Sequence, residues 1–243
     1  MKTALITGAS GGIGQAAARL FASKGYNVAV VYRQGAERAE ALCARLKAEG
    51  FRAEPFYADV ASESDVKALF CDVARTFGGV DVLVNNAGIA QQKLFTDITE
   101  AEFERMFAVN VGGVFHCCRE AIPYMVHQKA GKIINISSVW GVRGASCEVH
   151  YSASKAAVIG LTKALAKELG PSGICVNCIA PGVIDTPMNA CFDKETMAQL
   201  AEDTPLMRLG TPEDVAQAIW FLASSASDFI TGQVLCADGG FIV

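Results

Sequence analysis

Apolar runs of strand length recur along the chain, each separated from the next by a stretch long enough for a helix. That alternation restricts the fold more than any other feature. The runs are Thr3–Thr7, Asn27–Tyr32, Arg52–Tyr57, Asp81–Asn85, Lys132–Ser137, Ile174–Ile179 and Gln233–Ala237, mostly bounded by Gly, Asn, Asp or Pro. Between them, helical patterns cover Ile13–Lys24, Ala36–Glu49, Ser64–Thr76, Glu102–Gln128, Tyr151–Leu169 and Pro212–Ser224. Parallel crossovers need about a dozen or more residues, and near-continuous apolar strands need cover on both faces. The pattern therefore predicts an α/β fold, a doubly wound sheet of seven parallel strands with helices on both sides.

At 243 residues, 51% of them apolar, the chain suits one domain over residues 1–243 around a continuous core. The least patterned stretch, 186–210, is polar-rich and suits a lid over a substrate cleft. A net charge of −4 leaves no basic excess for nucleic acid. No run approaches the roughly 18 apolar residues of a membrane span. Met1-Lys2 leads into the first strand without a signal peptide, so the expected location is cytoplasmic. Nine scattered cysteines fit reduced thiols. Cys175 and Cys178 have redox-motif spacing but ride in a strand, where residues three apart face opposite ways, so packing is expected. Cys117 and Cys118, adjacent on a helix, are also expected to pack. No metal site is expected.

Ligands of such sheets lie beyond the carboxyl ends of the strands. After the first strand come Thr7-Gly8-Ala9-Ser10-Gly11-Gly12-Ile13-Gly14 and then a helix. Glycines there allow a tight turn and close approach of backbone to a pyrophosphate, whose charge meets free N–H groups at the helix start. At the end of the second strand, Arg33 can pair with a 2′-phosphate where an acid would bind a ribose hydroxyl, so NADP(H) is expected over NAD(H). Asp59-Val60 and Asn85-Asn86-Ala87-Gly88 follow the third and fourth strands, on the adenosine side; for both asparagines, turn duty competes with direct contact.

Tyr151 and Lys155, four apart on a helix, share one face. The ammonium is expected to lower the phenol's pKa and fit Tyr151 to move a proton. Ser138, after the fifth strand, can join Tyr151 on one substrate oxygen, and Asn110 can support Lys155 through water.

These motifs, with Tyr151-Ser152-Ala153-Ser154-Lys155 and Pro181-Gly182, resemble the classical short-chain dehydrogenases/reductases over nearly the whole chain. The resemblance implies a Rossmann fold, a catalytic tetrad of Asn110, Ser138, Tyr151 and Lys155, and a bond from Lys155 to the nicotinamide ribose. It also implies adenine contacts from Asp59 and Val60, and a nicotinamide border formed by Pro181, Gly182, Val183, Ile184 and Thr186. Within the family, Ile134-Asn135-Ile136-Ser137-Ser138-Val139-Trp140-Gly141 and Ile230-Thr231-Gly232-Gln233-Val234-Leu235 are most similar to bacterial 3-oxoacyl-[acyl-carrier-protein] reductases. Those usually form homotetramers through the helices bearing the Asn and Tyr of the tetrad.

A reductase serving acyl carrier protein should offer basic residues near the cleft mouth; Lys129 and Lys132 are candidates, whereas Pro171-Ser172-Gly173 offers no charge. Gly144-Ala145-Ser146-Cys147-Glu148-Val149-His150 is instead similar to reductases that finish the aminopentanone modification of elongation factor P. Glu148 would suit that ketone's amine, although loop acids are commonly solvated. A dinucleotide-binding regulator without turnover is a third reading, which a complete tetrad argues against.

Overall fold

The computed structural model describes residues 1–187 and 193–241. Its seven strands are β1 (Thr3–Ile6), β2 (Asn27–Tyr32), β3 (Ala53–Tyr57), β4 (Val82–Asn85), β5 (Gly131–Ile136), β6 (Ile174–Pro181) and β7 (Val234–Ala237). They form one sheet in the order β3-β2-β1-β4-β5-β6-β7, and every pairing is parallel. The order reverses between β1 and β4, which opens a crevice at their carboxyl ends.

The strands bury both faces, as their sequences require. On β1, Ala4 and Ile6 face one core and Leu5 the other. The first core is closed by helices α1 (Gly12–Ser23), α2 (Ala36–Ala48) and α9 (Pro212–Ala223), through Phe21, Leu42 and Ile219 among others. The second is closed by α3 (Glu63–Phe77), α5 (Gly113–Gln128) and α7 (Val149–Leu169), through Leu69, Met125 and Val158. Cys117, Cys118 and Cys178 pack in this second core as free thiols, whereas Cys175 lies half-buried beside Lys132. Among the described residues, no helix is long and apolar enough to cross a membrane.

The structure departs from the sequence pattern in three places. The expected helix Glu102–Gln128 is α4 (Glu100–Phe107), a π-helical turn (Ala108–Gly112) and then α5. Its earlier start is set by a capping box between Thr99 and Glu102, which the apolar periodicity does not register. A short helix α6 (Val139–Arg143) follows β5, capped by the Ser138 hydroxyl, which accepts from Trp140 N at 3.2 Å. Within 186–210 lies a further helix, α8 (Lys194–Glu202), capped by Asp193; residues 188–192 of that segment lie outside the described residues.

Candidate active site

After β1 the chain turns at Gly8, whose φ of +64° favours glycine. A Cβ there would sit 2.9 Å from Ala87 Cα, and one on Gly14 would sit 2.6 Å from Gly8 O, so the loop closes only without side chains. Asn86 ties it down: its Nδ2 donates to Thr7 O at 2.9 Å and to Gly8 O at 3.2 Å. Thr7 Oγ1 in turn accepts from Asn86 N and Ala87 N, both at 3.0 Å. Gly11 caps α1 without a side-chain hydrogen bond, and the first turn, which holds Gly12, Ile13 and Gly14, has no acid. The leading N–H groups of α1 are thus open to an anion, and this cradle fits a dinucleotide pyrophosphate. Of the two asparagines, Asn85 has turned inward, its Nδ2 donating to Asn135 Oδ1 at 2.8 Å, which makes it a strand-to-strand tie.

A cavity of about 970 Å³ opens at the carboxyl edge of the sheet. It brings together residues that lie far apart in sequence: Ile13, Asn86 and Gly88 on one side; Ser138, Glu148, Tyr151 and Lys155 on another; Pro181, Gly182, Val183, Ile184 and Thr186 on the third. Tyr151 and Lys155 emerge from one face of α7, with Lys155 Nζ 5.8 Å from the Tyr151 ring centre. Lys155 is buried and donates to Ile136 O at 2.9 Å. Asn110 sits in the π turn, a widened helical turn of the kind often found at functional sites. Its Oδ1 accepts from Ile89 N at 2.9 Å, and its Nδ2 donates to Ile89 O and to Ser154 Oγ, each at 3.0 Å. A Cβ on Gly88 would meet both Asn110 Oδ1 and Lys155 Nζ at 3.2 Å, so glycine is what lets these groups approach.

Electrostatics overturn one expectation. The Tyr151 phenol is pushed up to about 12 rather than lowered, chiefly because burial removes its ionised form from water. Hydrogen bonding with Ser138 draws it down and Glu148 pushes it further up. Burial also pushes the Lys155 ammonium down to about 8. Spacing on a helix shows that the two groups are neighbours but not how dry they are.

Glu148 is 8% exposed, lines the cavity, and accepts from Gln92 Nε2 at 3.3 Å. It makes no ion pair among the described residues, and burial raises its pKa. Gln91 joins His150 to Glu102, at 2.9 and 2.7 Å respectively. Sequence reasoning missed Gln91 and Gln92, along with Ala90, Trp140, Thr196 and Leu200, all of which line the cavity. Their position just after Asn85-Asn86-Ala87-Gly88 was the available signal for the first three.

The ends of β2 and β3, where adenosine contacts are expected, do not line this cavity. Ser10 Oγ donates to Gln34 O at 2.9 Å, which joins the glycine loop to the end of β2. Arg33, 42% exposed at its side chain, pairs with Asp59 at 3.2 Å. Val60 is buried, and its carbonyl lies 3.0 Å from His116 Nδ1. The basic patch sought near the cleft mouth is elsewhere. Lys129 and Lys132 sit at the amino end of β5, roughly 20 Å of strand from Ser138, and Lys132 is held by Asp228 at 2.8 Å.

Residues 8–242 match the family model described as Enoyl-(Acyl carrier protein) reductase. The chain is 44% identical over 239 residues to the 3-oxoacyl-[acyl-carrier-protein] reductase of Staphylococcus aureus, covering 98% of this chain and 97% of that protein. It is 40% identical over 242 residues to the corresponding reductase of Thermotoga maritima, covering 100% and 98%. Among solved structures, a 3-oxoacyl-[acyl-carrier protein] reductase from Brucella melitensis superposes with a TM-score of 0.93 at 37% identity, covering 100% of this chain and 92% of that one.

Proposed function

Because the chain belongs to the short-chain dehydrogenase/reductase family of oxidoreductases, we propose that it reduces a ketone to a secondary alcohol with NADP(H), its substrate a 3-oxoacyl thioester carried on acyl carrier protein. The observation that carries this reading is the convergence of the Ser138 and Tyr151 hydroxyls and the Lys155 ammonium on one cavity beside the glycine cradle. The substrate class follows from the names of the relatives at 44% and 40% identity.

The pyrophosphate would rest on Gly8, Ser10, Gly11, Gly12, Ile13 and Gly14. Arg33 would take the 2′-phosphate, Asp59 and Val60 the adenine, and Asn86, Ala87 and Gly88 the adjoining ribose. The stretch from Pro181 to Thr186 would border the nicotinamide. The bound cofactor supplies the hydride when reduced and accepts one when oxidised. Ser138 and Tyr151 hold the substrate oxygen between two hydroxyls, and Tyr151 gives its phenolic proton to that oxygen as charge develops there. A phenol with its pKa pushed up to about 12 carries that proton at neutral pH, which suits reduction. Lys155 would bond the nicotinamide ribose, and Asn110 fixes the segment from Ile89 that borders the cavity. Thr186, Thr196 and Leu200, from the stretch expected to form a lid, line the cavity and would cover a bound substrate. Phe103 and Phe115, exposed on α4 and α5 to either side of Asn110, support a homotetramer built on the helices that bear Asn110 and Tyr151.

Glu148 favours a second reading. A buried carboxyl in the cavity, with an amide as its hydrogen-bond partner, suits a ketone bearing an amine, such as the aminopentanone on elongation factor P. Following NADPH oxidation with acetoacetyl-acyl carrier protein beside ketone-bearing elongation factor P decides between the two. Faster turnover of the modified factor would sink the acyl-thioester assignment, and no turnover of any ketone would restore a non-catalytic regulator.

A further inference from the structure

Asp59 stands between two guanidinium groups from different elements. Its Oδ2 is shared by Arg33 Nε, at the end of β2, and Arg105 Nη2, on α4, each at 3.2 Å. Its Oδ1 accepts from Ala61 N at 3.0 Å. Arg33 with Asp59 alone would carry no net charge; the three together carry one positive charge. We propose that Arg105 is a positioning residue for cofactor choice: by sharing Asp59 it leaves Arg33 available to a phosphate on the adenosine ribose.

The physical case rests on competition for one carboxylate. A phosphomonoester dianion arriving at Arg33 is repelled by Asp59 a few ångströms away, well inside a screening length of about 8 Å. It must also draw the guanidinium out of an existing ion pair before forming its own bonds. Arg105 reduces both costs because it offsets the charge of Asp59 and gives that carboxylate a second partner. All three side chains are partly exposed, at 42, 37 and 23% for Arg33, Arg105 and Asp59, so each pairing is weak enough to exchange when a ligand binds. Arg105 need not touch the cofactor. Its effect falls only on ligands that carry the phosphate.

The inference rests on the NADP(H) reading, and the test separates the two. Calorimetric titration of 2′,5′-ADP and of 5′-AMP, which differs from it only in lacking the 2′-phosphate, gives the preference for that group without any turnover. Arg105→Gln should weaken 2′,5′-ADP by about three- to fivefold and leave 5′-AMP within about twofold. Asp59→Asn added to Arg105→Gln should restore the preference, because the carboxylate that Arg105 offset is gone. Any direct interaction of Asp59 with adenine is common to both ligands, so its removal cancels in their ratio. A preference untouched by Arg105→Gln, or abolished by it and not restored by the double variant, overturns the inference. If Arg33→Ala leaves the preference intact, the NADP(H) reading itself fails. Circular dichroism of each variant separates these outcomes from misfolding.

Discussion

The two ends of the cleft are built from opposite materials. In the cavity Asn110, Ser138, Tyr151 and Lys155 are nearly dry, with Asn110 held by hydrogen bonds to Ile89 and Ser154 and Lys155 by one to Ile136. At the proposed adenosine end Arg33, Asp59 and Arg105 are partly exposed and held by shared ion pairs. Buried polar groups are costly to leave unpaired, so that constellation is nearly all-or-none. Exposed pairs are worth little individually, so the other end can be retuned in small steps. Substitutions should follow that division, with losses of orders of magnitude at one end and several-fold shifts at the other.

The largest effect is expected for Tyr151→Phe. Removing one hydroxyl takes away the proposed proton donor and should lower kcat by about 10²- to 10⁴-fold, with NADPH binding by fluorescence titration nearly unchanged. A variant that keeps full activity would show that the proton comes from elsewhere and would break the contrast at its stronger end.

Asn110→Ala should come next, as a loss of both stability and rate. It strips the partners from Ile89 N and Ile89 O and should cost about 2–4 kcal/mol in urea denaturation. Turnover should fall with it, because Ala90, Gln91 and Gln92 follow directly and line the cavity. A stability change below about 0.5 kcal/mol would mean that this end is no more tightly coupled than the surface.

Lys155→Met isolates the electrostatic part. The folded pKa of Lys155, about 8, lies below its ordinary 10.5, so over that interval the unfolded chain binds more protons than the folded one. Burying the charge therefore costs stability in full below pH 8, and the cost is relieved as pH rises toward 10.5. The cofactor-free wild type should gain on Lys155→Met by about 1 kcal/mol per pH unit across that range. Parallel stability curves would show that the ammonium is already well solvated.

The same division governs what could be read from the amino acids. Each strand was located to within about two residues, because runs such as Asn27–Tyr32 owe their pattern to burial on both faces. Chemical candidates were legible for a related reason: Tyr151 and Lys155 share a helix face by spacing alone. What escaped depends on contacts between elements. Nothing local distinguishes the π turn at Asn110 from continuous helix, and the partners that Asn110 finds there, Ile89 and Ser154, come from other parts of the chain. The sign of the Tyr151 shift depends on burial that no spacing reports. Arg105 carries no motif, and its pairing with Asp59 arises only once α4 is folded against the end of β3.

The smallest effect belongs to the exposed end and tests its defining feature. Arg33→Asp removes the cation expected to meet the 2′-phosphate and places a second carboxylate beside Asp59, where like charges repel any added phosphate. The ratio of kcat/KM for NADPH over NADH should fall by about tenfold, mostly through KM, while kcat with saturating cofactor stays within about twofold. The change should shrink as salt is raised, because the groups involved are reached by solvent ions. A shift confined to kcat would mean that Arg33 communicates with the buried constellation, and the separation between a tunable adenosine end and an all-or-none chemical end would no longer describe this cleft.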